Sequence, residues 1–286
     1  MLSVWRRKQL TVVYYNGEFH DDAVTLDIND RGYQFGDGVY EVVRVYDGRL
    51  FTAREHFERL VRSAGEISIV LELTVDDYIE LCQQLIDKNH LVSGNIYIQI
   101  TRGVAVRNHA FPAGASPVTL MYTYEAARPV EGMQSGVNVI TAEDFRWLRC
   151  DIKSLNLLAN VLNKQKAVEA GAVEAVQIRD GIVTEGASTN VYRIKDGTIY
   201  THPVNHLILN GITRRVIKEC ADEQSIPFVE EAFDVEQLLS ADEVFISSTT
   251  LEVTPVRQID EQIIGEPGPI TRKLQQAFEE KIQSGR

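Results

Sequence analysis

Lys153 lies between Ile152 and Ser154 in RCDIKSLNLLANVLNKQKA (149–167), at the mouth of an apolar helical pattern. Lysine is strongly hydrated and is rarely buried without a partner. Two readings follow: a surface lysine beside a helix start, or an amine held out of water so that it can form an imine with a carbonyl compound. Other residues must decide between them. Glu185, in IVTEGASTNVYRI, lies between a strand and a turn of small residues, where a glutamate is usually solvated. Arg107 and His109, in ITRGVAVRNHAF, are two apart and share one face if the segment is extended. Such a cationic pair suits a carboxylate, which Arg can bind bidentately. A plain surface loop could carry the same two residues.

Gly211, Ile212 and Thr213 open a helix in NGITRRVIKEC, where free N–H groups and the helix dipole favour a phosphate. SSTTLE (247–252) offers hydroxyls and N–H groups after a buried-looking strand. In DRGYQFGDGVYE the glycines Gly32, Gly36 and Gly38 lack the G-x-G-x-x-G spacing and a strand follows, so the dinucleotide fingerprint is absent and a tight turn is expected. Tyr40 and Glu41 come next, at the start of a strand, where a polar side chain can face a cleft. His202 and His206 are separated by Pro203 and no H-E-x-x-H occurs, so no metal site is expected. Ser188 and Ser247 lack a nucleophile elbow. Alone, each feature reads as an ordinary loop or helix start. Together they meet the needs of one cofactor, pyridoxal 5'-phosphate: a lysine for an imine, an acid against the pyridine nitrogen, and a phosphate cup at a helix N-terminus.

The elements that must position these groups follow from periodicity and turn residues. TVVYYNGEF reads as a strand entering a turn at Asn16-Gly17, and VYEVVRVYDGRLF as a hairpin around Asp47-Gly48. EHFERLVRSAGEI and TVDDYIELCQQLIDKNHL read as helices, the second with Thr74 as N-cap. GNIYIQITRG and SPVTLMYTYE are strands, and the polar stretch EAARPVEGMQSG reads as an interdomain linker. Beyond it come the strand GVNVITAED and the helix SLNLLANVLNKQKAVEAG, ending at Gly171. Short strands follow with turns at Asp180-Gly181 and Asp196-Gly197. The remainder is a helix from Gly211, a shorter one in AFDVEQLLSA, the strands of ADEVFISSTTLEVTPVRQID and a terminal helix with Thr271 near its start. Strands outnumber clean strand–helix–strand alternations, so an α+β fold is expected rather than a doubly wound sheet.

At 286 residues the chain allows one large domain or two smaller ones. A formal net charge of -12 argues against general affinity for nucleic acid or an anionic membrane surface. Three cysteines, far apart and in no C-x-x-C pair, fit a reducing cytoplasm. MLSVWRRKQL has no signal-type apolar core, and the densest apolar stretch, SLNLLANVL, is too short to span a bilayer. A soluble cytoplasmic protein is expected. The basic cluster Arg6, Arg7 and Lys8 is given no function.

DRGYQFGDGVYEVVRVYDG, HFERL, TRGVAVRNHAFP, RWLRCDIKSLNLL, VTEGASTNV, LNGITR and SSTTLEVTPV, in this order and spacing, resemble the fold-type IV pyridoxal-phosphate aminotransferases, and among them the bacterial D-amino acid aminotransferases. The resemblance runs from Asp30 to Val256. It implies a mixed α/β, two-domain fold: a smaller N-terminal domain (1–126), a linker (127–134) and a larger cofactor-binding domain (135–286). It implies that Lys153 forms the imine and shuttles the proton, and that Glu185 keeps the pyridine nitrogen protonated. Arg59, Ile212, Thr213, Ser248 and Thr249 would hold the phosphate, while Ser188 and Leu209 line the cofactor. Tyr40, Arg107 and His109 would take the substrate α-carboxylate, the last two reaching the partner's site in a homodimer. Branched-chain L-aminotransferases of this fold lack the R-x-H pair. The implied reaction moves an amino group from a D-amino acid to a 2-oxo acid such as 2-oxoglutarate. The rivals are a branched-chain L-aminotransferase, an (R)-amine transaminase, an aminodeoxychorismate lyase and a non-catalytic cofactor-binding protein. Ala187 stands where the turn after the glutamate is commonly serine, which removes one hydroxyl but no catalytic group.

Overall fold

The computed structural model describes residues 12–285. Arg6, Arg7, Lys8 and Thr11 lie outside the described residues. The chain forms two compact units: one ends at Ala127 and also includes Lys153–Asn156, and the other comprises Arg128–Ile152 and the chain from Leu157 onward.

The first unit contains β1 (Val13–Tyr15), β2 (Glu18–His20), α1 (Arg31–Phe35), β3 (Gly38–Tyr46), β4 (Arg49–Leu50), α2 (Ala53–Glu66), α3 (Val75–Asn89), β5 (Gly94–Thr101) and β6 (Val118–Glu125). Its strands form one sheet in the order β2-β1-β6-β5-β3-β4. The turns at Asn16-Gly17 and Asp47-Gly48 connect paired strands, and all four turn residues have positive φ, as tight hairpins require. Alternation sorts the faces of β3: Val39, Glu41, Val43 and Val45 are buried on one side and lie across from Ile100, Ile98, Ile96 and Gly94 of β5. Phe57, Leu60 and Ala64 of α2 are buried, as are Tyr78, Cys82 and Leu85 of α3, with Phe57 stacked on Tyr78. Thr74 starts α3 with a full capping box to Asp77. The glycine-rich turn expected at 30–38 contains a five-residue helix, α1, because the Asp30 side chain caps the Gly32 N–H and Gly36 ends it in the left-handed region.

The second unit contains α4 (Val130–Ser135), β7 (Val137–Glu143), α5 (Leu158–Glu169), β8 (Glu174–Arg179), β9 (Ile182–Gly186), β10 (Asn190–Lys195), β11 (Thr198–Thr201), α6 (Ile212–Glu223), β12 (Phe228–Glu230), α7 (Val235–Leu239), β13 (Glu243–Ser248), β14 (Glu252–Ile259), β15 (Gln262–Ile263) and α8 (Pro269–Gln283). The sheet runs β12-β11-β10-β13-β14-β7-β8-β9, with β15 on β14. One apolar cluster gathers Val137, Val139, Val176, Val183, Val191, Val244, Ile246 and Val256 around Phe233. Tyr192, adjacent to Val191 on β10 and therefore on the opposite face, stacks on Phe245 at 4.3 Å.

Two boundaries differ from the sequence expectation. The stretch read as a linker holds α4. The helix expected from Ser154 begins at Leu158, because the segment before it is extended: Tyr40 N–H donates to the Lys153 carbonyl at 3.1 Å, Leu155 N–H donates to the Gly38 carbonyl at 3.0 Å, and Ser154 bridges Val39. Lys153 is thus held on a strand-like segment beside β3 rather than at a helix mouth.

Candidate active site

In the first unit, Lys153 and Tyr40 come together. The Lys153 Nζ lies 4.2 Å from the centre of the Tyr40 ring, and its backbone N–H donates to Ser63 Oγ of α2 at 3.3 Å. Both ends of the lysine are therefore fixed. Tyr40 stacks on Tyr97 at 5.8 Å, which orients its ring.

Tyr40 and Glu41 point to opposite faces of β3. Glu41 is fully buried across from Ile98, an isolated charge in an apolar face. Two residues of α2 satisfy it. Arg59 forms a fork, Nε to Oε1 at 2.6 Å and Nη2 to Oε2 at 2.9 Å, and His56 Nδ1 meets Oε2 at 2.7 Å. Burial alone would raise the Glu41 pKa, but Arg59 and His56 together hold it far below the usual carboxylate range. Burial pushes the His56 pKa down, opposed by the Glu41 carboxylate beside it. Arg59, expected on the phosphate, is thereby held in one orientation by a carboxylate. The sequence reading missed this partnership; the i, i+3 spacing of His56 and Arg59 on a helix face was its only local signal.

Arg107 and His109 lie on the exposed loop between β5 and β6. Both approach one ring of α1: the Arg107 guanidinium is 5.0 Å from the Phe35 centroid and the His109 ring 5.5 Å.

In the second unit, Glu185 is buried one residue before the end of β9, and the 187–189 turn leads into β10 at Asn190. Its Oε2 accepts from Leu209 N–H at 3.0 Å and Asn190 Nδ2 at 3.2 Å, and its Oε1 accepts from Arg146 Nη1. Leu209 thus supports Glu185 through its backbone. Arg146, which the sequence reading did not single out, is itself oriented by Asp144, Nε to Oδ1 and Nη2 to Oδ2, each at 2.8 Å. Arg179 and Thr184 also bind Asp144. Burial favours a raised Asp144 pKa, yet Arg146 and Thr184 bring it down to about 2. For Glu185 burial prevails: its pKa is raised even though Arg146 and the Leu209 N–H oppose the shift.

Ile212 and Thr213 are buried at the start of α6, which has neither a side-chain cap nor an acidic residue in its first turn. Gly211 precedes them, and a Cβ there would collide with Asn190 Oδ1. Ser248 ends β13 and Thr249 follows it, with Ser248 Oγ accepting from Leu251 N–H at 3.1 Å. Ser188 is exposed and its hydroxyl donates to the buried Glu174 carboxylate at 2.6 Å, so it fixes the 187–189 turn.

These residues fit pyridoxal phosphate. An uncapped, buried helix start calls for an anion. A carboxylate oxygen accepts two hydrogen bonds, and Glu185 Oε1 receives the single donor Arg146, leaving capacity for a ring N–H.

Residues 38–259 match the model of the amino-transferase class IV family. The chain belongs to this family. It is 57% identical over 279 residues to the D-alanine aminotransferase of Staphylococcus epidermidis, covering 96% of this chain and 99% of that protein. It is 51% identical to the D-alanine aminotransferase of Bacillus licheniformis over 95% of this chain and 97% of that one. Among solved structures, the branched-chain amino acid aminotransferase of Escherichia coli superposes with a TM-score of 0.86 at 30% identity, covering 94% of this chain and 93% of that one. The branched-chain aminotransferase of the archaeon Thermoproteus uzoniensis gives 0.86 at 24% identity, with 96% of each chain covered, a likeness of fold alone. The mixed α/β aminotransferase fold expected from the sequence is the fold found.

Proposed function

We propose that this chain is a pyridoxal-phosphate transaminase that moves the amino group of a D-amino acid such as D-alanine or D-glutamate to a 2-oxo acid. The observation that carries the reading is the identity of 57% with a D-alanine aminotransferase, against 30% with a branched-chain enzyme. When bound, the cofactor supplies an aldehyde that condenses with amines and a ring that takes up the electron pair left at the substrate Cα. Lys153 would carry the cofactor and, once the substrate amine has displaced it, its free Nζ would take the Cα proton and deliver it to the cofactor's aldehyde carbon, two atoms along. Its fixed backbone and its seat on Tyr40 support that role. Glu185 holds the proton of the pyridine nitrogen, backed by Arg146. Arg59, the α6 start, Ser248 and Thr249 bind phosphate; Ser188 and Leu209 line the ring. Tyr40, Arg107 and His109 take the α-carboxylate.

The working unit in this reading is a homodimer in the cytoplasm, with Arg107 and His109 serving the partner's site. Ile28, Val104, Val106 and Phe111 are exposed, and the bridge from Asp30 to Val104 brings the first three close, an apolar patch suited to a second copy. Among the described residues no helix is long and apolar enough to cross a membrane, and all three cysteines are free.

The test is to mix cofactor-loaded protein with D-alanine and, separately, L-alanine, without oxo acid, and follow the visible cofactor band. Bleaching by D-alanine alone is the expected result. Bleaching by L-alanine or a branched L-amino acid instead would overturn the D-specific reading.

A further inference from the structure

We propose that Arg31 and Arg102, joined through Asp37, form a clamp that positions Arg107 and His109 for the substrate carboxylate. This rests on the reading that those two residues bind it.

The loop between β5 and β6 is exposed almost throughout, and Arg107, Asn108 and His109 lie on its surface. An exposed loop with no inward side chains has little to fix its backbone. Here the fixing comes from below. Arg31 of α1 is 3% exposed, and its guanidinium gathers three consecutive loop carbonyls: Nη1 donates to Asn108 at 2.5 Å and to Ala110 at 3.4 Å, and Nη2 donates to His109 at 3.4 Å. These peptides flank the His109 position and begin one residue after Arg107, so they fix the backbone from which His109 projects and the segment that Arg107 leads into.

Arg31 is itself fixed. Its Nε donates to Asp37 Oδ2 at 2.8 Å. Arg102 forks onto the same carboxylate, Nε to Oδ2 at 2.8 Å and Nη2 to Oδ1 at 2.9 Å, and anchors to the carbonyls of Ile67 and Ser68. The Arg102 guanidinium also lies 3.6 Å from the centre of Phe111, the residue that follows Ala110. One carboxylate therefore ties two guanidiniums, and each holds a different stretch of the loop. Phe35, from the same short helix as Arg31, lies beside both Arg107 and His109. At the neck of the loop, Arg31 N–H donates to the Gly103 carbonyl. Gly103 has φ +109°, and a Cβ there would strike the Ser116 carbonyl, so the loop closes tightly at its base.

A planar fork reaching a carboxylate and three carbonyls at once has no lysine equivalent. Arg31→Lys keeps the charge and loses the fork. The experiment compares wild type, Arg31→Lys, Arg31→Gln and Arg107→Ala. It measures D-alanine KM and kcat, cofactor affinity of the apoprotein, and amide hydrogen exchange across 104–111. The expected result is a KM raised about tenfold in both Arg31 variants with kcat changed less than about twofold, as lost ground-state positioning predicts. Exchange across 104–111 should speed up while cofactor affinity stays unchanged. An unchanged KM in the Arg31 variants beside a raised KM in Arg107→Ala would overturn the clamp and leave the carboxylate reading standing. An unchanged KM in Arg107→Ala would overturn the carboxylate reading and, with it, the clamp's role. If Arg31→Gln does not fold, Arg31→Lys decides alone; weakened cofactor binding in Arg31→Lys would mark a general structural role and refute the proposal.

Discussion

Replacing Glu41 with glutamine tests the buried network beneath Arg59. The substitution preserves shape and removes one charge. In the native protein that charge accepts three hydrogen bonds, at 2.6, 2.9 and 2.7 Å, from Arg59 and His56, and Glu41 and His56 are both essentially inaccessible to water. Breaking a buried pair by neutralising one partner costs about 3–5 kcal/mol, because the other charge stays in a low-dielectric site. At roughly 2–4 °C per kcal/mol for a chain of this order, the Tm should fall by about 6–20 °C. The assay is thermal unfolding of the apoprotein at pH 7 followed by circular dichroism. Because the Glu41 pKa is depressed in the folded state, its contribution is complete above the ordinary carboxylate range and is lost only as pH falls toward the depressed value. The deficit of Glu41→Gln relative to wild type should therefore be constant from about pH 5 to 8. A Tm within about 2 °C of wild type would mean that Arg59 does not depend on Glu41, and the argument that a carboxylate aims the guanidinium proposed to bind phosphate would fail.

Lys153→Ala should retain cofactor through the phosphate contacts, seen by equilibrium dialysis, and lose nearly all turnover; wild-type turnover would remove the lysine from the chemistry. Arg107→Ala should raise the D-alanine KM by roughly 10–100-fold, the loss of a charged hydrogen bond of about 1.5–3 kcal/mol. Asp144, held at about 2, contributes stability that is present above the unfolded pKa of 3.8 and is lost as pH falls through about 2. Urea unfolding should therefore show Asp144→Asn less stable than wild type by an amount on the order of 2 kcal/mol at about pH 6, narrowing steadily below about pH 4. Burial pushes the thiols of Cys150 and Cys220 up to about 11 and that of Cys82 higher, so a thiolate-specific disulfide reagent at about pH 8 should label the native protein slowly and the denatured protein at all three cysteines.

Much of this protein was legible in its sequence. The hairpins at Asn16-Gly17 and Asp47-Gly48, the Thr74 cap of α3 and the helix opening at Ile212 all follow from residues within a few positions of one another. Local sterics and local hydrogen bonds decide such features, so a single sequence contains them. The order of the short motifs also pointed to the family. The partnerships of the candidate site residues were not legible. Glu41 meets His56 and Arg59 across 15 and 18 positions, Arg146 meets Glu185 across 39, and Arg31 meets the Arg107 loop across 77 to 79. Nor did the pattern SLNLLANVL reveal that its first residues would be extended, because their backbone groups are taken by β3, far away in sequence. Periodicity reports which face of an element is apolar. It carries no information about which distant element will desolvate a charge, and a buried charge is oriented by whichever partner burial forces upon it. The sequence determined the groups available for chemistry; the tertiary structure alone decided their neighbours and hence their direction and ionisation.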